Sequence, residues 1–301
     1  MKSLKTTYVP LLCLSFSLPL LAQQRVVYGD DNRLDLNEHP LHTFRQMGSA
    51  VAAQIDNNKI IVTDEQNGIY GVLGQRLVDF GICEKERFSH QVSAIRCSGF
   101  MIAKDLLVTS AQCVQNDNDC KNYTWIFDYK LQSTSETAVK FIADQSYHCK
   151  QIVARTYDTG TKEDYAVIRV DREIVGRLPL KYRKNGVLAP ESKLFTIGTS
   201  LGLPLKISDQ GMVLSNNGAK YFMTNLDTYG GAAGSPVINQ ETLEVEGIFT
   251  GGEKDFTFNP ELNCSESKKC ENDGSNCQGE KVTRITSLAN LNFRKLFRRR
   301  P

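Results

Sequence analysis

The stretch with the clearest chemical character is residues 224–236, which read TNLDTYGGAAGSP. Glycines packed this closely indicate backbone that turns sharply or passes close to another group. Ser235 is the one serine of this stretch. A serine becomes a nucleophile only where a base, most often histidine, accepts its proton and an acid such as aspartate orients that base. The rest of the chain must therefore supply those partners in the right geometry.

This stretch resembles the nucleophile loop of chymotrypsin-fold serine proteases, and most closely that of their V8-like (glutamyl endopeptidase) branch. That family carries Gly-Gly-Asn-Ser-Gly-Ser-Pro, whereas residues 230–236 read Gly-Gly-Ala-Ala-Gly-Ser-Pro. The resemblance places Ala233 where the attacking serine should be. It places Ser235 at the family's second serine, which does not attack. We therefore favour a packing and hydrogen-bonding role for Ser235 over that of a rescued nucleophile.

The family's base follows a strand that ends in Thr-Ala-Ala-His-Cys, and residues 109–113 read Thr-Ser-Ala-Gln-Cys. In the family, the cysteine after the histidine forms a disulfide with the cysteine of a preceding Cys-Ser-Gly. Cys97 begins such a Cys-Ser-Gly, and Cys113 lies 16 positions after it. The resemblance thus implies a Cys97–Cys113 disulfide and places Gln112 at the base. Glutamine has no group that accepts a proton near neutral pH.

The orienting aspartate of the family resembles Asp164, which opens the run Asp-Tyr-Ala-Val-Ile. An aspartate before an apolar run is a weak signal alone, because turns are rich in aspartate. Its value comes from the order Gln112, Asp164, Ala233, which matches the family's order of base, acid and nucleophile. Only Asp164 is intact in this degenerate triad, and we expect it to accept a hydrogen bond from the Gln112 amide. Losing either the serine or the histidine alone costs about 10⁶ in rate in a comparable triad.

The oxyanion hole and the specificity pocket of the family also have counterparts in this sequence. Its oxyanion hole uses backbone N–H groups, which Gly231 and Ala233 would supply here, so that a carbonyl or carboxylate could still bind. Thr228 matches the threonine of the specificity pocket. Phe249 matches the pocket histidine after a one-residue insertion, so a preference for acidic peptides is not implied. Phe249 is either a core aromatic or a pocket-lining residue.

The elements that must position these residues are short strands. From about residue 71, runs rich in Val, Ile, Phe and Tyr are broken by Gly, Asn, Asp and Pro, a pattern typical of all-β sandwiches and barrels. With the resemblance, it predicts an all-β trypsin-like domain over residues 71–301. Two antiparallel β-barrels, at about 71–175 and 176–286, would hold the site between them. Residues 23–70 are expected to form an N-terminal arm, with a helix near 43–55, and residues 287–298 a C-terminal helix.

Residues 1–22 are predicted to be a signal peptide, because a positive start precedes an apolar run that ends in alanine. The run is too short and too proline-rich for a stable membrane anchor. We therefore expect export to a periplasm or to the extracellular space. Two of the 36 basic residues lie in this leader, which leaves 34 against 34 acidic residues. A formally neutral mature chain gives no argument for nucleic-acid binding.

Eight cysteines follow the leader, an even number that predicts up to four disulfides in an exported chain. After Cys97–Cys113, the next pairing that we expect is Cys120–Cys149. The alternative of a zinc site is disfavoured for the three last cysteines, whose spacings are long and lack a nearby histidine. These are Cys264, Cys270 and Cys277.

The leading hypothesis is an exported, catalytically inactive homologue of a trypsin-like or V8-like serine endopeptidase that binds a peptide or protein in or near the former cleft. One alternative is an active serine-type endopeptidase with atypical residues. The other is a secreted interaction protein that uses a surface outside the cleft. We expect no cofactor and no metal. The four histidines have no ligand spacing, and the run NDND at 116–119 favours a turn over a calcium site.

Overall fold

The computed structural model describes residues 27–252 and 254–291. Strands dominate, and the helices are few and short. The strands are β1 (Val27–Tyr28), β2 (Leu34–Asp35), β3 (Val51–Asp56), β4 (Ile60–Asp64), β5 (Ile69–Val72), β6 (Gln75–Arg76), β7 (Val92–Ser93), β8 (Cys97–Ala103), β9 (Leu106–Thr109), β10 (Tyr123–Phe127), β11 (Phe141–Ile142), β12 (Ser146–Asp158), β13 (Glu163–Val170), β14 (Lys193–Gly198), β15 (Lys206–Ser215), β16 (Tyr221–Thr224), β17 (Pro236–Asn239), β18 (Val245–Gly251), β19 (Phe256–Asn259), β20 (Cys264–Ser267), β21 (Lys269–Cys270) and β22 (Glu280–Arg284). The α-helices are α1 (His42–Gly48) and α2 (Asp117–Asn122), and 3-10 helices cover Asn57–Lys59, Leu77–Phe80, Ala143–Gln145, Ser200–Gly202 and Ile285–Asn290.

The first barrel is closed by six strands in the order β10-β12-β13-β9-β8-β3. Its interior holds large side chains with no exposure, including Trp125 and Phe100. Strand β3 comes from the segment that the sequence assigns to an N-terminal arm, so the barrel begins near residue 51 and not near residue 71. The helix expected at 43–55 is also too long, because α1 ends at Gly48. Every residue of β3 but the last is buried, and a strand covered on both faces lacks the alternation that separates strand from helix.

The second barrel is formed by β14, β17, β18, β22, β16 and β15, and pairing between β14 and β15 closes it. Strand β2 adds to the outer edge of β15, with Lys206 opposite Asp35 and Ile207 opposite Leu34. Strand β1 pairs in parallel with β21. The start of the described chain is thus built into the second barrel, so the two antiparallel barrels predicted from the sequence are present with more of the chain in each.

Each barrel carries an insertion that reaches towards the other. Residues 57–96 join the neighbouring strands β3 and β8 of the first barrel. The β19–β20 hairpin lies between β18 and β22 of the second barrel. The Cys83–Cys264 disulfide joins these insertions, and the Cys83 N–H donates to the Ser265 carbonyl at 2.9 Å beside it. A covalent link therefore connects the two barrels.

Four disulfides are present, which indicates an oxidising environment of the extracellular type. Cys97–Cys113 and Cys120–Cys149 are joined as expected. The sequence left the other four cysteines unassigned, and they form Cys83–Cys264 and Cys270–Cys277. The alternative of a cysteine zinc site is thereby excluded, because a disulfide sulfur is no thiolate ligand. Within residues 27–252 and 254–291, none of the helices has the length and hydrophobicity needed to cross a bilayer.

The predicted C-terminal helix and the predicted signal peptide lie largely or wholly outside the described residues. The chain enters a short 3-10 helix at Ile285–Asn290, whereas most of the C-terminal helix expected at 287–298 lies outside the described residues. The predicted signal peptide at 1–22 lies outside them as well.

We predict that replacing Cys83 and Cys264 together by serine lowers the free energy of unfolding more than replacing Cys270 and Cys277 together. The pairs close loops with sequence separations of 181 and 7 residues, for which chain entropy gives roughly 5 and roughly 2 kcal/mol. Denaturant unfolding of both variants beside the parent protein measures the two losses. Equal losses would contradict the prediction.

Candidate functional site

The position that the sequence predicts for the orienting aspartate holds a buried carboxylate. Asp164 is the second residue of β13 and is only 2% exposed. One of its carboxylate oxygens accepts from the Ser110 hydroxyl at 2.8 Å and from the Ala111 N–H at 2.6 Å. The other accepts from Gln112 Nε2 at 2.6 Å. A carboxylate taken out of water needs such donors, and the expected Gln112–Asp164 hydrogen bond is present.

Gln112 follows β9 and uses its amide to connect the two barrels. Besides Asp164, its Nε2 donates to the Thr250 carbonyl at 3.0 Å, and Thr250 belongs to β18 of the second barrel. Both partners are acceptors, so only the NH₂ end of the amide can face them and the orientation of the amide is fixed. The carbonyl oxygen Oε1 accepts from no group in the part of the chain that the structure describes. Gln112 itself is exposed, which leaves Oε1 available to a ligand.

Ala233 lies on the glycine-rich loop between β16 and β17, against the first barrel. Its carbonyl accepts from the Ser98 N–H at 2.8 Å. Cys113 Sγ, in the residue after Gln112, lies 3.6 Å from the same carbonyl oxygen. Gly234 has φ +90°, and a Cβ there would lie 2.0 Å from the Ser98 carbonyl oxygen, so only glycine fits this approach. The loop thus packs Ala233 against Cys113, the residue after Gln112, and the Ala233 side chain is a methyl group without a hydroxyl.

The backbone N–H groups of Gly231 and Ala233 point away from the hydrogen bonds that the glycine-rich loop makes inside the protein. The Gly230 carbonyl accepts from the Leu201 N–H at 2.6 Å, and the Ala232 carbonyl accepts from the Ser235 N–H at 3.0 Å. In a trans peptide the C=O and the following N–H point in opposite directions. The N–H groups of Gly231 and Ala233 therefore point to the other side of the loop, and neither donates to any group within the described residues.

Ser235 is a structural residue in this arrangement. Its hydroxyl is fully buried and donates to the Ala232 carbonyl at 2.6 Å. This contact closes the turn that holds Ala233. The hydroxyl is directed into the protein, as expected for a packing and hydrogen-bonding residue.

The two expected pocket residues are both buried. Phe249 is 2% exposed and packs in the core of the second barrel with Phe222, Leu226 and Val282, so it is a core aromatic. Thr228 is 1% exposed, and its hydroxyl lies 3.3 Å from Oε2 of Glu280. The Glu280 carboxylate also lies against Gly252, whose added Cβ would meet it at 1.7 Å. No local sequence pattern points to Glu280, because its role depends on a contact across the barrel.

An open hollow of about 400 Å³ lies next to Gln112. Gln112, Thr250, Gly251 and Gly252 form one side of it, and two lysines contribute to its lining. Among the described residues that line it there is no aspartate or glutamate. The hollow therefore offers backbone groups and positive charge to a ligand in the cleft. The lining residues are Gln112, Tyr157, Lys162, Tyr221, Met223, Thr250, Gly251, Gly252, Gln278, Gly279 and Lys281.

The N-terminal segment supports the glycine-rich loop from behind, which the sequence did not predict. The Asp227 carboxylate accepts from the N–H groups of Tyr28 at 2.8 Å and Asn32 at 3.0 Å. The buried guanidinium of Arg33 lies 3.8 Å from the centre of the Tyr229 ring and pairs with Asp31 at 2.7 Å. Arginine over an aromatic face gains cation–π attraction. The arm thus fixes the residues that precede Gly230.

Burial changes the acidity of two carboxyl groups near this loop. Loss of water around Asp227 raises its pKa to about 7, even though two N–H donors act in the opposite sense. Loss of water likewise raises the pKa of Asp255 to about 6, against the hydrogen bond from the Gly230 N–H. Low-dielectric surroundings disfavour the charged form of a carboxyl group. Both groups therefore titrate near neutral pH.

The remaining polar candidates have local roles. The Asn116 side chain accepts from the N–H groups of Asn118 and Asp119 and caps α2, which is the usual use of asparagine before a helix. Within the described residues, no group of three or more His, Cys, Asp or Glu side chains is arranged to hold a metal ion.

The fold and this geometry agree with the comparison to protein families. The trypsin-like peptidase domain family matches residues 97–248, a segment that includes Gln112, Asp164 and Ala233. The chain belongs to this family.

Two solved structures illustrate the likeness in fold. The human heparin binding protein superimposes with a TM-score of 0.52 at 13% identity, covering 85% of this chain and 94% of that one. A Glu endopeptidase solved in complex with MPD gives a TM-score of 0.50 at 16% identity, covering 91% of this chain and all of that one (100%). A search of curated proteins finds no match.

We predict that Ser110→Ala lowers the free energy of unfolding by about 1–3 kcal/mol, because it removes a donor from a buried carboxylate. Ser133→Ala is the matched control, since the Ser133 hydroxyl is exposed and bonds only to that of Ser135 within the described residues. Urea unfolding of both variants tests the difference. A Ser110→Ala protein as stable as the control would contradict the role given to the carboxylate.

We also predict that Asp227 makes the protein less stable as the pH rises. Its pKa in the folded chain, about 7, lies above the ordinary value of 3.8, so the folded state binds the proton more tightly. The resulting stability is fully present below about pH 4 and is lost as the pH rises towards 7. Between pH 5 and 8 the Asp227 contribution should fall by roughly 2–3 kcal/mol.

Asp227→Asn should reduce this slope in urea unfolding at pH 5 and pH 8. Asp64→Asn is the control, because the pKa of the exposed Asp64 carboxyl is lowered by hydrogen bonds from Asn67 and the group stays ionised throughout this range. The same slope in the Asp227→Asn variant and the parent would show that Asp227 does not titrate as described.

Proposed function

We propose that this protein is an exported, catalytically inactive member of the trypsin-like peptidase family that binds a peptide or protein ligand in the former catalytic cleft. The observation that carries this proposal is the hydrogen bonding of Gln112. Its amide nitrogen donates to Asp164 and Thr250, and an amide has no proton-accepting group near neutral pH. Ala233, beside it, has no hydroxyl. General-base activation of a nucleophile has neither partner here.

Binding is favoured because the ligand-facing groups are intact. The Gly231 and Ala233 N–H groups are free within the described residues, and an oxyanion hole is made of such backbone donors. The adjoining hollow is lined by Gly251 and Gly252 at the end of β18. Ligand binding by these N–H groups and by the hollow requires an ordered cleft. The loop is held in place by the N-terminal arm and by the first barrel.

The alternative of an active endopeptidase has less support. Ser235 is the nearest hydroxyl in the loop sequence, and it is buried and bonded to Ala232. The predicted signal peptide and the four disulfides support export. The name of one structural relative includes heparin binding, but a net formal charge of +2 gives no basic excess on which to extend a polyanion ligand to this chain.

The test compares the mature chain with the double variant Gln112→His/Ala233→Ser. We expect the parent to leave a fluorescently labelled protein substrate uncut and the double variant to cleave it in a reaction that a serine-protease inhibitor stops. The cleft would then be preserved although its chemistry is lost. Each single variant serves as a control, since one restored group without the other should give at most a small fraction of that rate.

Two outcomes would contradict the proposal. Inhibitor-sensitive cleavage by the parent would show an active enzyme with another nucleophile. A folded double variant that neither cleaves the substrate nor binds a covalent serine-protease inhibitor would show that the cleft has decayed. A ligand surface outside the cleft would then be the better hypothesis.

A further inference from the structure

The former catalytic centre offers an unusual set of hydrogen-bonding groups to a ligand. Both known acceptors of the Gln112 amide lie inside the protein, so its NH₂ group is used internally. What remains for the cleft is Oε1, which can only accept. A histidine at this position could instead donate once it is protonated.

The loop opposite supplies donors only. The Gly231 and Ala233 N–H groups point away from the Leu201 and Ser235 contacts of the preceding carbonyls. Two contacts place these donors near Gln112. Cys113 lies against Ala233, and Thr250, the Gln112 partner, follows Phe249, whose carbonyl accepts from the Gly234 N–H at 2.8 Å. The segments that carry the two donors and the acceptor are therefore adjacent where the barrels meet, and Ala233 brings no side-chain hydroxyl between them.

We infer that this cleft selects ligands that present an intact amide group and discriminates against a free C-terminal carboxylate. The inference rests on the proposed function and names the chemical class of the ligand. An amide places its carbonyl oxygen on the two N–H groups and its own N–H on Gln112 Oε1. A carboxylate fills the donors equally well but brings a second acceptor towards Oε1, which leaves both oxygens unpaired and mutually repelled.

The consequence for recognition is that the site binds an uncut peptide bond, or a C-terminal carboxamide, and not the product of cleavage. Above about pH 5 the selection does not change with pH, because the glutamine amide does not titrate and a C-terminal carboxyl group, with an ordinary pKa of about 3.5, stays ionised. The two ligand groups cannot be distinguished by size, because a carboxylate and a carboxamide have the same shape. The discrimination comes from a single acceptor and acts against the attraction of a carboxylate to Lys162 and Lys281 of the adjoining hollow. A hydrogen-bond mismatch of this kind is worth about tenfold in affinity.

The experiment uses one random N-acetylated hexapeptide library in two forms, one ending in a carboxamide and the other in a free carboxylate. Each form is passed over the immobilised mature protein at pH 7.5, and the retained peptides are quantified by mass spectrometry. We expect the carboxamide form to be retained about tenfold more than the carboxylate form.

Three variants make the comparison specific to the cleft. Gln112→Met keeps the size of the side chain and removes the acceptor, so the ratio should fall towards one. Gln112→His should favour the carboxylate form below about pH 6.5, where imidazolium donates a hydrogen bond, and lose this preference above it. Ala233→Leu fills the space between the donors and should abolish the retention of both forms. Melting temperatures near that of the parent establish that each variant is folded.

The outcomes separate the two claims. A parent that retains both forms equally, or a carboxamide preference unchanged in Gln112→Met, would overturn the inference about the amide. Retention that survives Ala233→Leu would place binding outside the cleft and overturn the proposed function as well. If the parent retains neither form, the proposed peptide-binding function itself is wrong.

Discussion

The structure of the whole cleft depends on the buried carboxylate of Asp164. Within the described residues, no cation lies beside this carboxylate. Asp164 is placed by β13 inside the protein, where a charge is tolerated only if hydrogen-bond donors surround it. Ser110, Ala111 and Gln112 supply those donors from one short segment after β9. This demand explains why the segment is ordered although it carries no histidine. The Gln112 amide meets the demand with one N–H and donates its second N–H to the carbonyl of Thr250. Gln112 thereby adds a hydrogen bond between the two barrels.

The ligand-facing side of the cleft depends on a second set of constraints, which act through the backbone. The glycine-rich loop owes its shape to Gly234, to the buried hydroxyl of Ser235 and to the close packing on Ser98. Behind it, Asp227 and Arg33 tie the loop to the N-terminal arm. None of these contacts requires a hydroxyl at position 233. Backbone donors of this kind persist for as long as the fold persists, and they support the proposal that the site binds a ligand.

The parts of the protein that could be predicted from the sequence are those that reside in local patterns. The glycine-rich loop, the 16-residue spacing of Cys97 and Cys113 and the run after Asp164 gave the fold, the order of the site and the Gln112–Asp164 contact. Strand β3 was mistaken for part of a helix, because a strand buried on both faces shows no alternation. The contacts of Arg33, Asp227 and Glu280 join residues far apart in the chain, so no local sequence pattern predicts these contacts. Phe249 could be settled only by the packing of the second barrel.

The Cys83–Cys264 disulfide also constrains how the molecule is made. A chain that emerges from its amino end exposes Cys83 first, whereas the partner follows 181 residues later. The Cys97–Cys113 and Cys120–Cys149 pairs, separated by 16 and 29 residues, become complete in the meantime. The Cys83 thiol must therefore stay unpaired, or exchange out of wrong partners, while these nearer cysteines appear. Reshuffling of this kind takes seconds to hours and is accelerated by isomerases. Correct maturation thus requires either that Cys83 stays reduced until Cys264 appears or that wrong pairs are exchanged, and a compartment that rearranges disulfides meets the second condition.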